Sequence, residues 1–207
     1  MVLPVPKSMI VKSGSLSVDL SKIEYFTDEQ LMEIVDWFVN NLYNNRKNNK
    51  HKFERERYYL LMKVMLLTGA RRGEALKLKK EDFDIQNNVV KMVTLKRKKR
   101  LPIRSIPLHS DLRDTYLTYL NSHTIQNGEL LFPMTKETVS AFFAEIGKQL
   151  GFRVYPHKFR HTFAVKAILN NVPLNVVQKW LGHSSIFTTS IYTELGATDT
   201  QNWMNKI

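Results

Sequence analysis

Cysteine is absent from all 207 residues. The chain therefore has neither a disulfide framework nor a thiolate metal site, and a reducing cytoplasm suits it. Long apolar runs are missing too. The opening stretch MVLPVPKSMIVKSG holds no extended apolar core, and Lys63 interrupts the best later candidate, so secretion and membrane insertion are disfavoured. No repeat or low-complexity segment is visible. Acidic residues are scarce: 19 Asp and Glu stand against 31 Lys and Arg, a formal net charge of +12. That excess points to a polyanionic partner. Hydrophobic residues at 43% and charged residues at 24% are ordinary for a folded protein, which excludes wholesale disorder. The length suffices for one domain with a substantial core.

Residues 1–22 mix Pro, Ser, Gly and Val without periodicity and read as an arm or linker. Thr27-Asp28-Glu29-Gln30 is a capping-box pattern that opens a helix through Leu31, Ile34, Val35, Phe38 and Leu42. The polar, basic run from Asn40 to Lys52 reads as a loop, and Phe53 to Leu67 as a second helix closed near Gly69. A third helix is expected to carry Arg71, Glu74, Leu76 and Leu78. The period then changes: Val89–Val93 and Ile103–Leu108 flank a basic loop, which predicts a small antiparallel sheet over about Phe83 to Pro107. Helices resume over about Ser110–Leu120 and Thr135–Leu150, the latter stopped by Gly151. The expected product is mainly α with one small antiparallel β-sheet.

The densest chemistry lies between Tyr155 and Thr193. Pro156 suits the first turn of a helix, on which His157 and Arg160 are neighbours while Phe159, Phe163, Ala167 and Ile168 form an apolar side. Gly182 suits the left-handed end of a helix from about Pro173 to Leu181, and Ser184 can cap the next one. On that next helix Phe187 and Ile191 are apolar, whereas Tyr192 falls among Ser185, Thr188 and Thr189. A tyrosine among hydroxyls is better placed to react than to pack.

These residues resemble the tyrosine recombinase, or phage-integrase-type, family. The likeness lies in H-x-x-R-H-T-F-A (His157–Ala164), L-G-H-S-S (Leu181–Ser185), T-x-x-Y-T ending at Thr193, and upstream T-G-A-R-R-G-E (Thr68–Glu74). Four short matches in the right order are specific where any one alone is weak. The resemblance implies the integrase catalytic-domain fold over residues 23–207 and a DNA strand transfer needing neither metal nor ATP. Such a reaction requires a nucleophile, positive charge on the phosphorane oxygens and a proton for the leaving 5′ oxygen. By resemblance, Arg71 and Arg160 are the two catalytic arginines, whose rigid forks suit phosphate oxygens. Tyr192 is the nucleophile, forming a 3′-phosphotyrosyl intermediate, and His183 holds a non-bridging oxygen. His157 bonds the phosphate or accepts the phenol proton. Lys96 is the general acid, with Lys98 as its rival, and Glu74 buttresses the site. His157 and His161 are four apart, a spacing open to zinc, but Arg160 beside them repels a cation; no metal or other cofactor is expected.

From Val90 to Ser105 there are seven basic residues and no acid, a stripe suited to lying along DNA. Arg97, Lys98, Lys99 and Arg100, together with Arg72, are the expected backbone contacts. Too few residues precede the first helix for the separate N-terminal core-binding domain of the family, so that domain is read as absent. The chain is then either an excised catalytic domain or a one-domain member. Its end, about residues 196–207 with Trp203, Met204 and Ile207, reads as a tail helix. In relatives such a tail docks on a neighbouring subunit, which implies a dimer or tetramer on double-stranded DNA and a monomer without it. Two other readings share features: a helix-turn-helix regulator, suggested by Asn175–Tyr192, and a type IB topoisomerase. A pure reader has no need of Arg71, Lys96, Arg160 and Tyr192 together, and size and H-x-x-R-H-T-F-A favour the recombinase.

Overall fold

The computed structural model describes residues 24–43, 49–94 and 103–182. Helix α1 (Asp28–Tyr43) opens as its capping box requires. The Thr27 hydroxyl accepts from the Gln30 amide at 3.2 Å, and the Gln30 side chain accepts from the Thr27 amide at 3.4 Å. Its buried stripe, Leu31, Ile34, Phe38 and Leu42, faces helix α2 (Asn49–Thr68) and helix α5 (Lys136–Leu150). The run expected to be a loop is partly helical: α1 continues to Tyr43 and α2 begins at Asn49. Lysine is a good helix former without any apolar periodicity, so the ends of a polar, basic run can be helical.

Further along α2, Leu60, Leu61, Met62, Val64 and Met65 are fully buried, because α1, α4 (Ser110–Ser122) and α6 (Pro156–Leu169) surround it. The helix stops at Gly69, whose φ is +64°. A Cβ there would lie 2.5 Å from Phe163 Cδ1 and 2.7 Å from Leu181 Cδ2. Gly69→Ala is therefore expected to cost about 2–5 kcal/mol, combining the left-handed penalty with overpacking. Urea denaturation checks this, and a loss below about 1 kcal/mol would contradict the close approach.

Helix α3 is shorter than expected, spanning Arg72–Ala75 with Arg71 just before its first turn. Leu76 and Leu78 lie beyond it because the backbone is drawn elsewhere: the Leu78 carbonyl accepts from the Leu131 amide at 2.9 Å, and Lys79 bridges Leu130. Strands β1 (Phe83–Asp84), β2 (Val89–Val93) and β3 (Ile103–Pro107) form an antiparallel sheet in sequence order. Val90 pairs with Ile106 and Met92 with Arg104, all four on the core face. Helix α4 (Ser110–Ser122) is capped by His109, and α5 (Lys136–Leu150) by Thr135 and a left-handed Gly151.

Helix α6 (Pro156–Leu169) has Pro156 in its first turn, as expected, but it is not half-exposed. Lys158, Phe159, Arg160, Thr162, Ala164 and Val165 are all buried. The segment before α1 covers one side, where the Phe26 amide donates to the Thr162 hydroxyl at 2.9 Å and the Phe26 and Phe159 rings lie 4.9 Å apart. Helices α2, α5 and α7 (Leu174–Leu181) cover the rest. Helix α7 ends at a left-handed Gly182 with φ +64°. The architecture is mainly α with one three-stranded antiparallel sheet. Among the described residues no helix is long and apolar enough to cross a membrane.

Candidate active site

Arg71 and Arg160 are 89 positions apart in sequence, yet the fold ties Arg160 to the backbone two residues before Arg71. Arg160 Nη1 donates to the Gly69 carbonyl at 2.5 Å, two residues before Arg71. Its Nη2 donates to the Leu181 carbonyl at 2.9 Å, two residues before His183. Arg160 is 3% exposed, so its guanidinium is fixed between the end of α2 and the end of α7. Rigid placement by packed neighbours is what a charge-stabilising group requires.

Arg71 is held from the other side. Its Nη1 donates to Glu74 Oε1 at 2.9 Å, and its amide to Glu74 Oε2 at 3.0 Å. Glu74 Oε2 also accepts from Arg104 Nη2 at 2.7 Å. The Glu74 side chain is 1% exposed, that of Arg104 7% and that of Arg71 22%, so Arg71 alone of the three reaches toward solvent. Burial pushes the Glu74 carboxyl up, but the Arg104 hydrogen bond and charge, helped by Arg71, outweigh it and hold the carboxyl below its ordinary value of 4.5.

His157 and His161 stack edge to face with ring centroids 4.4 Å apart on one side of α6. Burial and then the Arg160 charge push His161 below its ordinary 6.5, with Glu24 opposing. Both depressed groups stabilise the fold above their ordinary values and lose that contribution as pH falls through the folded ones. As pH drops from neutrality, a first loss below pH 6.5 belongs to His161, and a second below pH 4.5 is shared by Glu74 with the depressed carboxyls of Glu29, Glu81, Glu137 and Asp84. Melting temperature followed against pH is expected to show both, and His161→Gln to remove only the first. An unchanged profile in that variant would contradict the assignment.

Tyr155, near the same helix, is a poor nucleophile. Burial and a 2.9 Å hydrogen bond donated to Glu24 push its phenol up to about 12.

Lys96, Arg97, Lys98, Lys99, Arg100, His183 and Tyr192, with the tail over about 196–207, lie outside the described residues. The described ends of their segments, however, meet at this site. Thr94, the last described residue before Lys96, receives Arg104 Nη1 at 2.8 Å, and the Trp180 carbonyl near His183 receives Arg104 Nε at 2.8 Å. Arg72, expected to contact the DNA backbone, makes two bonds within the protein. It directs Nη1 to the Lys136 carbonyl at 2.9 Å and to the Ser140 hydroxyl, tying α3 to α5. The turn of α3 points it away from Arg71 and onto a neighbouring helix.

The phage integrase family model matches residues 36–198. The chain belongs to that family. Tyrosine recombinase XerA of Saccharolobus solfataricus is 29% identical over 143 residues, covering 69% of this chain and 47% of XerA. The crystal structure of the XerH site-specific recombinase bound to palindromic difH substrate, a post-cleavage complex, aligns with a TM-score of 0.65 at 25% identity, over 88% of this chain and 53% of that one. The catalytic domain of bacteriophage HP1 integrase shares the fold, with a TM-score of 0.61 at 19% identity over 89% of this chain and 95% of that one. The chain spans about half the length of the curated relatives it matches.

Sequence reasoning missed one residue of this candidate site. Arg104 was counted in the basic stripe facing DNA, but it is 8% exposed and turned inward. Lys91, another member of that stripe, pairs with Asp84 at 3.2 Å. The period of two in a strand carried the signal: Arg104 alternates in phase with Ile106 and Leu108, both buried, while Ile103, Ser105 and Pro107 are exposed.

Proposed function

We propose that this chain is the catalytic domain of a site-specific DNA recombinase that cleaves and rejoins double-stranded DNA through a 3′-phosphotyrosyl intermediate, needing neither metal nor ATP. The observation that carries the reading is the joining of Arg160 to the Gly69 carbonyl beside Arg71. It ties one permanent cation to the backbone two residues before another from a distant part of the chain, which supports a shared phosphate site. Family membership and the DNA complex of XerH support it. In this reading Tyr192 Oη attacks phosphorus and the bond to the 5′ oxygen breaks. The phenol proton passes to His157, and Lys96 protonates the leaving oxygen. Arg71, Arg160 and His183 hold the charge that develops on the non-bridging oxygens. A 5′ hydroxyl from another strand reverses the steps, so the bond energy is conserved.

The same reading takes residues 1–22 as a linker and 23–207 as the catalytic domain, consistent with the near-complete overlap with the HP1 integrase catalytic domain. Phosphate contacts fall to Arg97, Lys98, Lys99 and Arg100, with Arg72 contributing only alongside its tie to α5. Oligomers would form on DNA through residues 196–207, and the setting is the cytoplasm. The test is a pool of nicked duplexes of random sequence, incubated with the chain and a chelator and without nucleotide. A denaturant-resistant adduct mapping by mass spectrometry to Tyr192 is expected, and sequencing the captured DNA reads out the preferred site. An adduct on another residue moves the nucleophile. Duplex bound without any adduct overturns the strand-transfer reading.

A further inference from the structure

We infer that Arg104 is a positioning residue for strand cleavage, setting Arg71 through Glu74. The inference rests on the proposed function and goes one step inside it. Arg104 stands on β3, on the opposite side of Glu74 from Arg71. All three of its side-chain nitrogens are committed to the protein: Nη2 to Glu74, Nη1 to Thr94 and Nε to the Trp180 carbonyl. Met92 Sδ lies 3.9 Å from Nη2 and completes the enclosure. With its fork turned inward, Arg104 is no phosphate ligand.

What it holds gives it a role in the reaction. Glu74 is the link that orients Arg71, and with Arg104 gone one of its oxygens keeps only the Arg71 amide. Thr94 and the Trp180 carbonyl are the anchors that keep the Arg104 fork turned to Glu74. Gly182 lies directly over the guanidinium, where a Cβ would sit 3.0 Å from Nη1 and 3.2 Å from Cζ. A planar fork with donors along three edges can hold three segments at once, which a lysine ammonium on a flexible stem cannot. Misplacing reacting groups by an ångström costs about 10²-fold even when the altered residue is remote.

The experiment measures single-turnover adduct formation on a captured nicked duplex, with duplex affinity and circular dichroism recorded at the same low temperature. Arg104→Met is expected to keep affinity within about threefold and to slow cleavage by about 10²-fold. Arg104→Lys, which retains charge beside Glu74, guards against a variant that fails to fold and is expected to fall between. The decisive comparison repeats Arg104→Met in an Arg71→Ala background. A residue acting through Arg71 has little left to disturb there, so the further loss should shrink to within a few fold. Equal losses in both backgrounds, or cleavage unchanged in folded Arg104→Met, overturn the inference while leaving the proposed function intact. A wild-type chain that binds duplex and forms no adduct overturns the proposed function, and the inference with it.

Discussion

Arg160→Ala is expected to slow adduct formation by about 10²–10³-fold, the usual consequence of removing one preorganised donor from a site of developing negative charge. Two losses combine. A buried cation disappears, and the Gly69 and Leu181 carbonyls lose their donor. Each buried carbonyl left unsatisfied costs about 1–3 kcal/mol, so the variant should also melt earlier. Arg160→Lys separates the two effects. It restores a positive charge but not a fork able to reach both carbonyls, so rate is expected to recover only in part. Single-turnover kinetics below the melting point of every variant supplies the measurement. A folded Arg160→Ala that cleaves within tenfold of wild type would remove this residue from the chemistry and leave it a purely structural clasp.

Such a clasp shows which parts of the molecule were legible in the sequence. The capping box at Thr27, the left-handed Gly151 and Gly182, and Pro156 in the first turn of α6 were all readable, because each depends on chemistry within a few residues. The sheet was readable from two apolar runs around a basic stretch. What escaped depends on partners far along the chain. Helix α6 looked two-sided because Lys158, Arg160 and Thr162 are polar, yet all three are buried. Thr162 answers to Phe26 across 136 positions, and Arg160 to Gly69 across 91. Arg104 escaped for a different reason: a cluster of positive charges invites one explanation for all its members, and the strand period that singles Arg104 out was outvoted. The expectation that Arg71 and Arg160 act together came from family likeness, and no local pattern in the chain supplies it.

Glu74→Ala should be the most destabilising single change at the site, by about 3–5 kcal/mol, because it strands the buried guanidinium of Arg104 with no counter-charge. For a chain of this size that corresponds to a fall in melting temperature of roughly 6–20 °C. Arg71 suffers less, since it is the more exposed partner and solvent can take over its charge. Glu74→Gln keeps the shape and some hydrogen bonding and should lie between wild type and Glu74→Ala. The informative partner is the double variant Glu74→Leu with Arg104→Met, which removes both buried charges together. Apolar groups of similar volume often replace a buried ion pair without loss, or with a gain, so stability is expected to return toward wild type. Cleavage is not, because Arg71 still lacks its carboxylate. Stability restored with cleavage still impaired would show that the buried pair is retained for the geometry it imposes on Arg71. Restoration of both would reduce Glu74 and Arg104 to replaceable core.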